Sequence, residues 1–155
     1  NLIAFDIATF LPQNVDEARI RGVELVASGS YAGWQGSASV TLMDPKNESN
    51  GPNNGKLLPR RAEQSLRIDL DRAFGPFSVG ATFVAEGRRY DDLANTVRMG
   101  GYGVLDLRAE YRPQKDWALQ VRVNNVFDKQ YETAAYFNQL GTNVMVTLRY
   151  QPAGI

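Results

Sequence analysis

Two constellations in this 155-residue sequence have residue types from which chemistry can be built. Carboxylates occur in pairs, Asp69 with Asp71 and Asp91 with Asp92, and paired carboxylates can divide general-acid and general-base roles. Asp44, Asn47, Glu48 and Asn50 bring four oxygen donors into one short stretch, the donor type that calcium takes. Neither constellation carries what its chemistry needs next. Residues two apart on a strand share a face whatever their role, no companion nucleophile or base is visible, and Ser and Tyr occur without a nucleophile elbow. The EF-hand spacing and its closing Glu are missing, so loop solvation is the better reading of the oxygen donors. His and Cys are both absent, which removes imidazole bases and ligands, Ser-His-Asp triads, thiol nucleophiles, disulfides and Cys-based zinc clusters. The chain reads as a non-enzyme, with no catalytic residue, no metal site and no cofactor.

The elements that position these residues are strands. Leu66, Ile68 and Leu70 alternate with Arg67, Asp69 and Asp71, a period of two with one apolar and one strongly polar face. The same alternation runs through Phe77 to Phe83, Leu105 to Tyr111, Leu119 to Val123 and Val144 to Tyr150, and more weakly through Val23 to Ala27 and Ala38 to Leu42. Asn1 to Asp6 fits a truncated strand, a helix or a loop equally well. The pattern predicts an all-β, antiparallel, up-and-down arrangement of about eight strands, each about ten residues long, the length that a tilted strand needs to cross a bilayer. No run of about 18 apolar residues is present, so no transmembrane helix is expected, and the first residues do not look like a signal peptide.

The connections sort into two classes. Tight turns at Tyr31-Ala32-Gly33, Arg72 to Gly75 and Pro113 to Asp116 alternate strictly with long polar loops at Asp44 to Arg60, Glu86 to Gly100 and Asp128 to Thr142. Outer-membrane barrels show this asymmetry, with short periplasmic turns and long extracellular loops. The Asn-, Gly- and Pro-rich loop from Asp44 to Arg60 is expected to be exposed and mobile.

The two strand faces separate by chemistry. Aromatic residues cluster at the turn side (Tyr31, Trp34, Phe74, Phe77, Tyr111, Trp117, Tyr150) and at the loop side (Tyr90, Phe127, Tyr131, Tyr136, Phe137), as two interfacial girdles would. Glu24, Arg67, Asp69, Asp71, Asp106, Arg108, Glu110, Arg122 and Arg149 share the polar face, where a cation cannot meet lipid without costing about 2–4 kcal/mol at the midplane. They must face water, a plug or one another. With 17 basic against 17 acidic residues there is no net field to hold a nucleic acid.

In the last third, Asn124-Asn125-Val126-Phe127-Asp128-Lys129-Gln130-Tyr131-Glu132-Thr133 resembles the NLFD-x-x-Y segment before the final strand of TonB-dependent outer-membrane receptors. Asn125, Phe127, Asp128 and Tyr131 carry that motif. Ala18-Arg19-Ile20-Arg21-Gly22-Val23-Glu24, Leu58-Pro59-Arg60-Arg61-Ala62, Gly87-Arg88-Arg89-Tyr90-Asp91 and Met99-Gly100-Gly101 with Leu105-Asp106-Leu107 are similar, in order and spacing, to the cobalamin branch of that family. Siderophore receptors share much of the pattern. The resemblance implies the C-terminal part of a barrel of about 22 strands closed around a plug, with residues 1–150 as barrel and 151–155 as a tail or an extraneous remnant. It implies a multi-pass protein of the Gram-negative outer membrane, with a cobalamin or siderophore-type ligand, outer-membrane lipid, the rest of the receptor and, through the plug, TonB as partners. Arg60 takes the position of a ligand-contacting Arg. The next ligand-side aromatic of the family falls near Leu93 and Ala94, a departure from the cobalamin pattern. Val144, Val146, Leu148 and Tyr150 match the terminal signal read by the outer-membrane assembly machinery, whereas Pro152 cannot extend the ladder. A self-contained eight-stranded barrel for adhesion or anchoring stays open, and it would pair its first and last strands.

Overall fold

Strict alternation of apolar and polar residues can satisfy the backbone only in ladders, and the structure, a computed structural model describing residues 2–6 and 11–152, is all β. Its strands are β1 (Leu2–Asp6), β2 (Leu11–Val15), β3 (Ala18–Tyr31), β4 (Trp34–Asn47), β5 (Gln64–Phe74), β6 (Phe77–Glu86), β7 (Arg89–Tyr90), β8 (Arg98–Met99), β9 (Tyr102–Gln114), β10 (Trp117–Asn124), β11 (Glu132–Ala134), β12 (Phe137–Asn138) and β13 (Asn143–Tyr150). Seven of them form one antiparallel sheet in the order β13-β10-β9-β6-β5-β4-β3. The β1–β2 hairpin is a separate two-stranded sheet, and the β7–β8 and β11–β12 pairs sit inside the second and third long connections. Every neighbour in the main sheet is also the sequence neighbour among its seven strands, so the sheet is a plain meander.

The register keeps like with like. Val40 lies opposite Leu25 and Leu66, Ile68 opposite Phe83, Ala109 opposite Val79 and Val121, and Val146 opposite Val121, so one face is apolar across all seven strands. Asp69 lies opposite Thr82, Thr82 opposite Asp106 and Gly80 opposite Arg108 on the other face. The sheet buries neither face. Leu25 and Val146 are each 66% exposed, and the buried apolar side chains among the described residues are few: Val15, Pro45, Leu58, Met99, Ala118 and Ala135. An apolar surface of this extent far exceeds what a soluble monomer leaves uncovered. A soluble sandwich would stack a second layer on it; an outer-membrane wall gives it to lipid.

Tight turns are built for reversal. Ala32 and Gly33 both have positive φ, 49° and 81°, the two-residue turn whose twist matches that of the flanking strands. Gly22 has a different reason: a Cβ there would run into the Leu42 carbonyl of the neighbouring strand. The first and last strands of the main sheet do not meet, because β3 and β13 lie at opposite edges.

The segment from Asp44 to Arg60 departs from expectation. It does not leave the sheet at Asp44: β4 continues to Asn47, opposite Ala18, Pro45 is buried within it, and Leu58 is 0% exposed. Leu58 donates its N–H to the Pro45 carbonyl at 2.8 Å, and Gly55 donates to the Asn47 carbonyl at 2.7 Å. The loop folds back on its own stem, so its polar composition marks hydrogen bonding as well as solvation.

Candidate functional site

On the polar face, charges cross strands. Arg67 holds Asp69 through two bonds of 2.7 and 2.9 Å, the Thr82 hydroxyl donates to Asp69 at 2.7 Å, and Arg108 donates from one nitrogen to Thr82 at 2.7 Å and from another to Asp71 at 3.0 Å. Gly80 makes the last pair possible, since a Cβ at that position would overlap both Asp71 Oδ1 and Arg108 Nε. The sequence reading grouped Asp69 with Asp71 as a carboxylate pair; the structure gives each its own cation, Arg67 and Arg108. Arg108, Arg67 and Arg122 line a recess of about 420 Å³ together with Asp69, Thr82 and Asp106. Arg122 lies directly opposite Arg108 and has no ion-pair partner among the described residues.

At the loop end, three long connections are tied to one another. Arg60, with φ +56°, donates Nε to Asp91 Oδ1 at 2.6 Å and a second nitrogen to Oδ2 at 3.2 Å, and its backbone N–H reaches the Tyr90 carbonyl at 2.6 Å. Asp91 also accepts the Ala135 N–H at 3.2 Å, which brings in the β11–β12 hairpin. The Asp91 side chain is 7% exposed and that of Arg60 50%. Taking away the guanidinium would leave a buried carboxylate short of donors, a loss on the order of 1–3 kcal/mol. The bond to Asp91 raises the Arg60 pKa above its already high ordinary value, against the opposing effect of burial.

The adjacent Asp92 serves a separate purpose. It accepts the Thr96 and Val97 N–H groups at 2.9 and 2.8 Å and the Thr96 hydroxyl at 2.8 Å, closing its own loop. Burial pushes its carboxyl up, but those three donors outweigh burial and hold it below the usual carboxylate range. Asp91 and Asp92 are therefore two structural anchors with different partners. The oxygen donors of the first loop are likewise divided: Glu48 pairs with Arg19 at 2.6 Å, Asp44 with Lys46 at 3.4 Å, and Asn47 Oδ1 accepts the Ser49 N–H at 2.8 Å.

Other ties were invisible in the sequence. Asn95 exchanges two bonds with the Leu57 backbone, at 2.8 and 2.9 Å. Arg89, almost wholly buried, bonds Glu86 at 2.8 Å and the Glu132 carbonyl at 2.7 Å, and its guanidinium lies 5.1 Å from the Tyr102 ring centroid. Leu93, in the second long connection, packs inward on Val15 and Leu58. No periodicity marks contacts between loops so far apart in sequence; the only available signal was the clustering of Arg and Asp around Tyr90.

The Asn125–Tyr131 motif is a structural knot. Asn125, buried at φ +50°, donates its backbone N–H to Asp106 at 2.8 Å, donates its side-chain amide to the Lys129 and Leu140 carbonyls at 3.0 and 3.2 Å, and accepts the Lys129 N–H at 2.8 Å. Asp128 accepts the Thr142 N–H at 3.0 Å. Tyr131 packs at a tilt against Tyr102 at the start of β9, with centroids 4.2 Å apart; Phe127, Tyr136 and Phe137 remain exposed. At the turn end the aromatics do form a belt, with Phe77 against Tyr111 and Trp117 against Tyr150, each pair at 4.5 Å. Gln151 donates to the Asp116 carbonyl at 2.8 Å, extending the last pairing by one residue. Residues 153–155, like Asn1, lie outside the described residues.

Residues 1–126 match the family model described as TonB dependent receptor-like, beta-barrel. The Vitamin B12 transporter BtuB of Photobacterium profundum is 28% identical over 142 residues, which are 92% of this chain and 23% of that protein. Among solved structures, the siderophore receptor PiuA from Acinetobacter baumannii superposes with a TM-score of 0.78 at 26% identity, covering 96% of this chain and 24% of PiuA. The ferripyoverdine receptor of the outer membrane of Pseudomonas aeruginosa superposes with a TM-score of 0.68 at 25% identity, covering 86% and 19%. The chain thus spans about a quarter or less of the length of each.

Proposed function

The chain belongs to the TonB-dependent receptor β-barrel family, and from that membership we propose that residues 1–150 form the C-terminal part of the barrel wall of a nutrient receptor in the Gram-negative outer membrane. The receptor works by binding and passage, taking cobalamin or a similar large nutrient at its loop end, while the polar wall around Arg108 and Arg122 faces the plug through which TonB acts. Residues 151–155 are assigned as a tail or an extraneous remnant, with Gln151 still bonded to the Asp116 carbonyl at 2.8 Å. Val144, Val146, Leu148 and Tyr150, on an edge strand, serve as the signal for assembly into the membrane, a role supported by their uninterrupted apolar row.

The observation that carries this reading is the loop junction. Three loops are fixed to one another by Asp91, and the cation they hold, Arg60, keeps half of its side-chain surface open. A preassembled surface loses less entropy on capturing a ligand than free loops would. A siderophore-type ligand is the second reading, favoured by Leu93 and Ala94, which stand near the place where the cobalamin pattern has an aromatic.

The test is equilibrium binding of cyanocobalamin and of a ferric siderophore to the receptor in detergent, with Arg60→Ala and Arg60→Lys alongside. Loss of a charge-assisted contact predicts about tenfold weaker binding of the true ligand in Arg60→Ala, with partial recovery in Arg60→Lys. Unchanged affinity for whichever ligand binds would leave Arg60 as a loop tie alone.

A further inference from the structure

At the turn end of the sheet a cation stands among the apolar residues. Arg72 lies opposite Trp34 on one side and Val79 on the other, which puts it among the apolar residues that the outer-membrane reading gives to lipid. Its guanidinium carbon sits 5.5 Å from the Trp34 ring centroid and 4.6 Å from that of Phe74. It also lies over the Ala32-Gly33 turn, where a Cβ on Gly33 would touch its Nε at 3.5 Å. Of the polar-face cations, Arg67, Arg108, Arg112 and Arg149 are each paired with a carboxylate, Arg122 being the exception. Arg72 makes no ion pair with any described residue. Two rings and a glycine turn fix the guanidinium in place, and among the described residues no group accepts from its N–H edges.

We propose that Arg72, clasped by Trp34 and Phe74 at the turn end of the sheet, is a binding site for the phosphate headgroup of an anionic phospholipid in the leaflet that meets that end. The chemistry fits in three respects. Stacking on aromatic faces leaves the planar donor edge of Arg free for a phosphate, which it can bind through two parallel bonds. Trp34, Phe74 and Phe77 lie in the turn-end belt, at the depth where headgroups begin and where a lipid-facing cation costs least. The apolar residues next along the sheet, Leu70 and Val79, line with Trp34 an open hollow of about 400 Å³ on the same face, suited to an acyl chain.

The proposal rests on the outer-membrane reading, and its test separates the two. Cell fractionation locates the receptor. The receptor purified from the outer membrane is then offered equimolar phosphatidylglycerol and phosphatidylcholine in detergent, and native mass spectrometry counts the lipids retained by wild type, Arg72→Gln, Arg72→Lys and the polar-face control Arg112→Gln. Wild type and Arg112→Gln should prefer phosphatidylglycerol. Arg72→Gln should lose about fivefold of that preference, the worth of one cation at an anionic surface, and Arg72→Lys should keep the charge-dependent part of it. Heat-modifiable gel mobility checks that each variant is folded, and Trp34→Leu, which keeps the charge and removes a wall of the clasp, supplies a second route to the same loss. Equal lipid retention by wild type and Arg72→Gln in a receptor found in the outer membrane overturns the lipid site alone. A receptor absent from that fraction overturns both.

Discussion

Asp91 and Asp92 are neighbours in sequence and strangers in function: one gathers three loops around a guanidinium, and the other closes a single loop with backbone donors. Their difference is testable through pH. Because the folded Asp92 carboxyl is held below its unfolded value of 3.8, its contribution to stability is fully present above that value and is lost as pH falls through the folded pKa. Hydrogen exchange of the 91–97 loop should therefore be unchanged from pH 7 to 5, once corrected for the intrinsic exchange rate, and should accelerate below about pH 4. Asp92→Asn should exchange fast at every pH and show no such step. An acid step that persists in Asp92→Asn would assign it to another carboxylate.

Asn125 shows what an element boundary demands. β10 ends against it, its positive φ turns the chain, and its side chain satisfies backbone groups at Lys129 and Leu140. Asn tolerates that backbone region better than most residues, and Ala offers none of the bonds. Asn125→Ala should cost about 2 kcal/mol or more, read as a lower temperature for the heat-modifiable transition and as faster exchange confined to residues 126–142. Faster exchange spread equally over residues 87–101 would mean that the knot anchors both loops. The strands themselves were legible because each has two chemically different faces, so that Leu66 to Asp71 can be read only with a period of two. Turns and long loops were legible from their lengths. The ties between loops were not, because Arg60 with Asp91, Leu57 with Asn95 and Arg89 with Glu132 join positions 31 to 43 residues apart with no repeat to mark them. Arg72 was hidden for a different reason: its charge shortly before Gly75 reads as the start of the Arg72–Gly75 turn, whereas β5 runs on to Phe74 and keeps Arg72 in the Leu66–Leu70 row.

At the scale of the molecule, the described residues form a wall with little core beyond the Val15–Leu58–Leu93 cluster, and its two long edges, β3 and β13, carry backbone groups that no described strand satisfies. In hydrocarbon such edges are costly, which is why membrane barrels close. The isolated 155-residue chain refolded in detergent should therefore give oligomers or unfolded material by light scattering. A compact monomer with heat-sensitive mobility would instead support a closed eight-stranded barrel. The interlocked loops also determine how the molecule is seen by anything that inspects it from the loop end. Their surface is assembled from stretches 31 and 44 residues apart that meet at Asp91, so an antibody raised against it would read a conformational surface. A synthetic peptide copying one loop reproduces the letters but not the face, and immune recognition directed at this region depends on antigen presented as the intact fold.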